Sequence, residues 1–92
     1  MIPVAEVIPA ALAAVLRNAP LTPEKVAFAW RLTVGPAVDR ATTIALRERV
    51  LYVRARDAAW RREVQRSAGL IRRRLQALLG PDVLRALDIT LK

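Results

Sequence analysis

The chain has no cysteine and no histidine. It therefore has no thiolate nucleophile, no disulfide and no imidazole, and a zinc site would have to be built from carboxylates alone, which zinc rarely accepts. General acid–base chemistry would fall to the eight Asp and Glu residues. No G-x-x-x-x-G-K-[ST] loop is present, so a P-loop nucleotide site is excluded. Glycine is scarce, with three residues, and the aromatics are two tryptophans, one tyrosine and one phenylalanine. Long apolar runs are missing too. Ile2 to Leu16 is mostly apolar but too short to span a bilayer. No Lys or Arg precedes it, Glu6 interrupts it, and Pro3 and Pro9 break it, unlike a secretory signal. These absences predict a non-enzymatic cytoplasmic binding module with no cofactor, no metal, no membrane partner and no small-molecule substrate.

What is present is positive charge on a foldable chain. The 92 residues make one domain, and 54% hydrophobic with 26% charged residues describes a globular sequence rather than a disordered tail. A core of this size is modest, so stability is marginal or supported by a partner. Sixteen basic against eight acidic side chains leave a net charge of +8, and every base except Lys25 and Lys92 is arginine. Residues 1–46 carry a net charge of +1, residues 47–74 carry +7, and residues 75–92 carry none. Self-repulsion concentrated in 28 residues points to a polyanionic partner.

Two periodicities organise the chain. Pro9 suits a helix N1 position, with Leu12, Val15 and Leu16 at helical spacing before Arg17-Asn18. Thr22-Pro23-Glu24 then gives a hydroxyl N-cap, a proline at N1 and an acid in the first turn. Val26, Trp30 and Val34 follow at four-residue steps, and Gly35-Pro36 either closes this helix or bends it into a last short turn. The period changes to two in Thr43–Arg47 and Val50–Arg56, a hairpin whose charged turn, Arg47-Glu48-Arg49, lacks Gly and Asn. That composition argues against the favoured two-residue turn and leaves the register open. Asp57 is a candidate N-cap for a long helix reaching Leu79, with Trp60, Val64, Ile71, Leu75 and Leu78 on one face. Gly69 either weakens this helix by about 1 kcal/mol or divides it. Gly80-Pro81 ends it, and Leu87, Ile89 and Leu91 alternate with polar residues in a third strand. The expected fold is α+β, in the order α-α-β-β-α-β, with a three-stranded sheet and helices on one face.

Two constellations could carry function. On the long helix, Arg62, Arg66 and Arg73 fall opposite the apolar face, where a stripe could follow a line of phosphates. On the second strand, Tyr52, Arg54 and Arg56 share the face away from Leu51 and Val53, where a ring and guanidiniums could stack and neutralise a single strand. Tyr52 equally fits packing under a helix. Arg47 and Arg49 in the hairpin turn complete the candidate set. Trp30 and Trp60 lie on apolar helix faces and read as core. Asp39, Asp57 and Asp82 read as caps near element starts.

These residues resemble the DciA-type family. The run Phe28-Ala29-Trp30-Arg31-Leu32-Thr33-Val34-Gly35 is similar to its opening "W…VG" signature. Leu51-Tyr52-Val53 matches the "L-x-V" that ends its hairpin, and after the polar Asp57, Trp60-Arg61-Arg62-Glu63-Val64 matches its "W…E-(apolar)" helix start. Val83 to Leu91 looks like its last strand. The resemblance spans residues 24–91 and implies one KH-like domain over 1–92, with residues 1–22 as N-terminal helix and connector and 23–92 as the family core. It further implies a DNA-binding accessory protein that loads or operates the hexameric DnaB-type replicative helicase in bacterial DNA replication. Its expected partners are that helicase and single-stranded or junction-containing DNA, and its expected place is the nucleoid. The sequence departs from the family in lacking a Gly in the hairpin turn. It also lacks the G-x-x-G clamp of true KH domains, and it ends at Lys92, where many members carry a basic extension. The alternatives are a KH-like RNA-binding module of ribosome or RNA metabolism, or an adaptor whose arginines meet an acidic protein.

Overall fold

The computed structural model describes residues 10–91. Helix α1 (Ala10–Asn18) and helix α2 (Pro23–Arg40) precede strands β1 (Thr42–Arg47) and β2 (Val50–Ala55). Helices α3 (Ala58–Arg66) and α4 (Ala68–Leu79) then lead to strand β3 (Ala86–Leu91). The α+β class and the three-stranded sheet agree with the sequence reading. The order becomes α-α-β-β-α-α-β, because the expected long helix is two helices. Pro9, expected at the start of α1, lies outside the described residues, as does Lys92. Among the described residues no helix is long and apolar enough to cross a membrane.

The caps form as their chemistry dictates. The Thr22 hydroxyl accepts from the Lys25 N–H, and the Asp57 carboxylate accepts from the Trp60 N–H. Asp39 instead sits in the last turn of α2 and Asp82 in the loop after α4, so of the three acids read as caps only Asp57 caps a helix. Gly35 interrupts α2 at φ 86° just before Pro36, and the chain resumes as a short last turn to Arg40. The division of the long helix falls at Ser67 (φ −105°, ψ 8°) rather than at Gly69, which is helical with open space around it. A straight helix from Ala58 to Leu79 would run about 33 Å, nearly the whole 35 Å long axis of the domain. The bend lets α3 pack on β2 and β3 while α4 packs on α1 and α2.

The sheet order is β1-β2-β3. β1 and β2 are antiparallel, from Arg47 opposite Val50 to Thr42 opposite Ala55. β3 returns parallel to β2 after the α3–α4 crossover, with Leu51 opposite Leu87 and Val53 opposite Ile89. Contrary to the sequence expectation, the hairpin turn is a two-residue one. Glu48 (φ 50°) and Arg49 (φ 69°) both adopt the left-handed conformation that such a turn needs. The Arg49 carbonyl accepts from the Arg85 N–H at 2.7 Å, which ties the turn to the start of β3.

Pleating sends Leu51, Val53 and Ala55 to the helical side, where they are buried with Trp30, Val34, Val64, Ile71, Leu75, Leu78 and Leu84. Trp30 is a core residue, as expected, and its indole N–H donates to the Thr42 hydroxyl at 3.1 Å. That hydroxyl donates in turn to the Val38 carbonyl, so α2 is fastened to the start of β1. Trp60 is half-buried against the same core. Val15 and Phe28 face outward. Lys25 is buried, and its ammonium donates to the Ala19 carbonyl at the end of α1 at 2.7 Å. It holds the α1–α2 connector as a cation at a helix C-terminus.

Candidate nucleic-acid interface

Among the described residues the helices pack on one side of the sheet and leave its opposite face open. Its residues are Thr43, Ala45 and Arg47 on β1, Tyr52 and Arg54 on β2, and Asp88 and Thr90 on β3. Tyr52 lies on this face, so it does not pack under a helix. It is half-buried, and the Arg47 guanidinium sits 5.0 Å from its ring centroid. Ring and cation are diagonal neighbours across the β1–β2 ladder, which brings long side chains together. The pair sets an exposed guanidinium over a half-buried ring on this face. Arg54 follows on the same face between Thr43 and Thr90. Asp88, in register with Tyr52, puts a negative charge on the β3 side.

Arg56 continues the ladder past the end of β2, its N–H donating to the Ala41 carbonyl at 2.9 Å. Its side chain is loosely paired with Asp57 at 3.9 Å, and both side chains are more than half exposed, so the pair contributes little. Arg49 occupies the turn at the other end. Five of the eight candidate residues (Arg47, Arg49, Tyr52, Arg54 and Arg56) therefore gather on the open face and its two ends.

The remaining three are elsewhere. Arg62 and Arg66 are exposed on the side of α3 opposite buried Val64, pointing away from the sheet. Arg73 is exposed on α4, between buried Ile71 and Leu75 and on the other side of the helix from them. The bend at Ser67 separates it from the α3 pair, so the three do not make the straight stripe expected of one continuous helix. Arg66 is also engaged with Glu63 at 3.7 Å. These arginines form a second basic surface on the helical side of a domain only 20 Å thick.

The fold brings in two arginines that the sequence reading left out. Arg40 ends α2 beside Ala41 and so stands next to Arg56. Arg85 precedes β3 and is bonded through its backbone to Arg49. Both come from segments of little net charge. Accepting a two-residue turn at Glu48-Arg49 would have set the register and put Ala41 opposite Arg56, exposing the first of these neighbours. A separate apolar groove of about 460 Å³ lies between the start of α2 and the unpaired edge of β1, lined by Leu21, Val26, Ile44 and Leu46 among others. Among the described residues no cluster of acids is arranged to hold a metal ion.

A family model described as "Dna[CI] antecedent, DciA" matches residues 3–89, from the N-terminal segment into β3. No curated protein matches the chain. No solved structure matches it.

Proposed function

The chain belongs to the DciA family, which implies a part in loading the DnaB helicase, and we propose that it does so as a DNA-binding accessory protein whose open sheet face holds the strand. The observation that carries this reading is the exposed platform of Arg47 on Tyr52 with Arg54 beside it, on the face that the helices leave uncovered. A base of any identity can stack on the guanidinium plane that overlies the ring, and the neighbouring guanidiniums neutralise the phosphates, so binding follows the backbone rather than the base sequence. Arg49 and Arg56 extend the charge to the two ends of the ladder. Arg62, Arg66 and Arg73 serve as a second electrostatic surface on the helical side, able to meet another arm of a junction or a duplex next to the single strand. The protein acts in the cytoplasm at the nucleoid, with the hexameric helicase as its protein partner and without a cofactor.

The test joins loading to binding. Helicase loading on single-stranded DNA coated with single-strand-binding protein is measured with and without this chain, alongside DNA affinity across a salt series. Stimulated loading is expected, with a log–log salt slope of roughly −3 to −4 if about five arginines meet phosphates of a single strand. Reversing the charge of Arg54 together with Tyr52→Ala is expected to cost more affinity than reversing Arg62, Arg66 and Arg73 together. A flat salt dependence with no effect on loading, or tight RNA binding in place of DNA binding, refutes the reading.

A further inference from the structure

At the end of the ladder away from the hairpin turn is a hollow of about 70 Å³ lined by Arg40, Ala41, Thr42, Thr43, Arg54 and Arg56. We propose that it is a phosphate-binding subsite that anchors one backbone phosphate of the strand on the sheet face. This deepens the DNA-binding reading and rests on it for the source of the phosphate.

The hollow is built by three separate constraints. Thr43 and Arg54 are direct cross-strand partners. The bond from the Arg56 N–H to the Ala41 carbonyl holds Arg56 opposite the residue after α2. The interruption of α2 at Gly35-Pro36 leaves Arg40 on its final short turn, directly before β1. Ala41, buried and small, leaves room there that a larger side chain would fill, while the Thr42 side chain turns to the core, bonded to the Trp30 indole and the Val38 carbonyl. A basic residue at the C-terminal end of a helix is ordinary, since it complements the helix dipole. That accounts for Arg40 alone and not for three arginines lining one small space.

Among the described residues no carboxylate lines the hollow. Asp39 precedes Arg40 in the chain, and Asp57 reaches only the Arg56 Nε, at 3.9 Å across an exposed pair that a phosphate can replace at little cost. Guanidiniums carry planar forks of N–H donors that match phosphate oxygens, and the exposed Thr43 hydroxyl adds another donor. Arg54 is two residues from Tyr52 on the same face, a step of roughly 6.6 Å along a strand. A nucleotide stacked on the Arg47–Tyr52 pair therefore has its adjoining phosphate close to the hollow.

The experiment has two arms. In the first, the arginine Nε–Hε resonances of the full chain are followed by NMR while inorganic phosphate replaces chloride at constant ionic strength. Saturable shifts confined to Arg40, Arg54 and Arg56 are expected; weak, uniform shifts across all arginines overturn the subsite. In the second, fluorescence anisotropy with labelled oligo-dT compares Arg40→Gln with Arg31→Gln, an exposed arginine of α2 outside the hollow, over a salt series. Arg40→Gln is expected to lose several-fold in affinity and about 0.7 in salt slope, one phosphate's worth on a single strand. Equal behaviour of the two variants overturns the anchor. If Tyr52→Ala still weakens binding in that case, the sheet face stands and only the hollow falls. If the unaltered chain binds no DNA, the sheet-face reading falls and the phosphate arm alone decides the hollow.

Discussion

Relieving the hairpin turn should stabilise the domain while weakening its hold on DNA. Glu48 and Arg49 both have positive φ, 50° and 69°, and each pays the steric cost that left-handed backbone imposes on a residue with a Cβ, about 1 kcal/mol or somewhat more. Asn tolerates this conformation and Gly adopts it freely, although Gly returns roughly half of the gain through the entropy of the unfolded chain. The double variant Glu48→Asn/Arg49→Gly should therefore gain about 1 kcal/mol. For a domain of this size that raises Tm by roughly 4–8 °C. Thermal and urea unfolding followed by circular dichroism measure the gain, with an unchanged urea m-value showing that the unfolded state is the same. The backbone bond from Arg85 to the Arg49 carbonyl survives, since it uses no side-chain atom. DNA affinity should fall with the lost guanidinium, whereas Glu48→Asn alone should be both more stable and tighter in binding. A double variant less stable than the parent refutes the reasoning about strain, and unchanged DNA affinity removes Arg49 from the interface.

Two further substitutions test the packing. The Thr33 hydroxyl is completely buried without a hydrogen-bond partner among the described residues, so Thr33→Val, which keeps the shape and removes the unsatisfied group, should stabilise by about 1 kcal/mol in urea unfolding; a destabilised variant would show that the hydroxyl is satisfied after all. Gly69 is helical with nothing within 4 Å of an added Cβ, while Gly80 ends α4 at φ 107°. Gly69→Ala should therefore gain up to about 1 kcal/mol and Gly80→Ala should lose about as much, and the same sign for both would contradict the assigned conformations.

Legibility in the sequence followed the range of the interaction. The Thr22 and Asp57 caps, the core positions of Trp30 and Val64 and the alternation of all three strands are set by neighbours a few residues away, and each was readable. The bend at Ser67 was not, because it answers to where α3 and α4 find partners, not to the helix-weakening Gly69 two residues on. The turn runs against expectation because its sequence contradicts its conformation: neither Glu48 nor Arg49 prefers positive φ. Tertiary closure forces it, with β2 paired on both sides and the Arg49 carbonyl taken by Arg85. Tyr52, Arg54 and Arg56 could be assigned to one face by counting in twos, whereas setting Arg47 beside Tyr52 needed the register. Arg40 and Arg85 could not be added until the register and the parallel return of β3 were known.

Those two arginines change what the charge means. Summed along the chain, the excess belonged to residues 47–74; in space it divides between the arginines of α3 and α4 on the helical side and a line along the β1–β2 ladder, with Arg49 and Arg85 at the turn end and Arg40 and Arg56 at the other. Six residues of strand separate the ends by about 20 Å. Across the sheet the pattern differs, since Asp88 stands beside Tyr52 on β3 and would repel a phosphate placed there. On the proposed reading, a strand held on this face would be steered along β1 and β2 and kept off β3, with the Arg47–Tyr52 pair between the two ends and the three-arginine hollow at one of them. Direction comes from the placement of a few charges at the two ends and one on the flank, which a net charge of +8 cannot express.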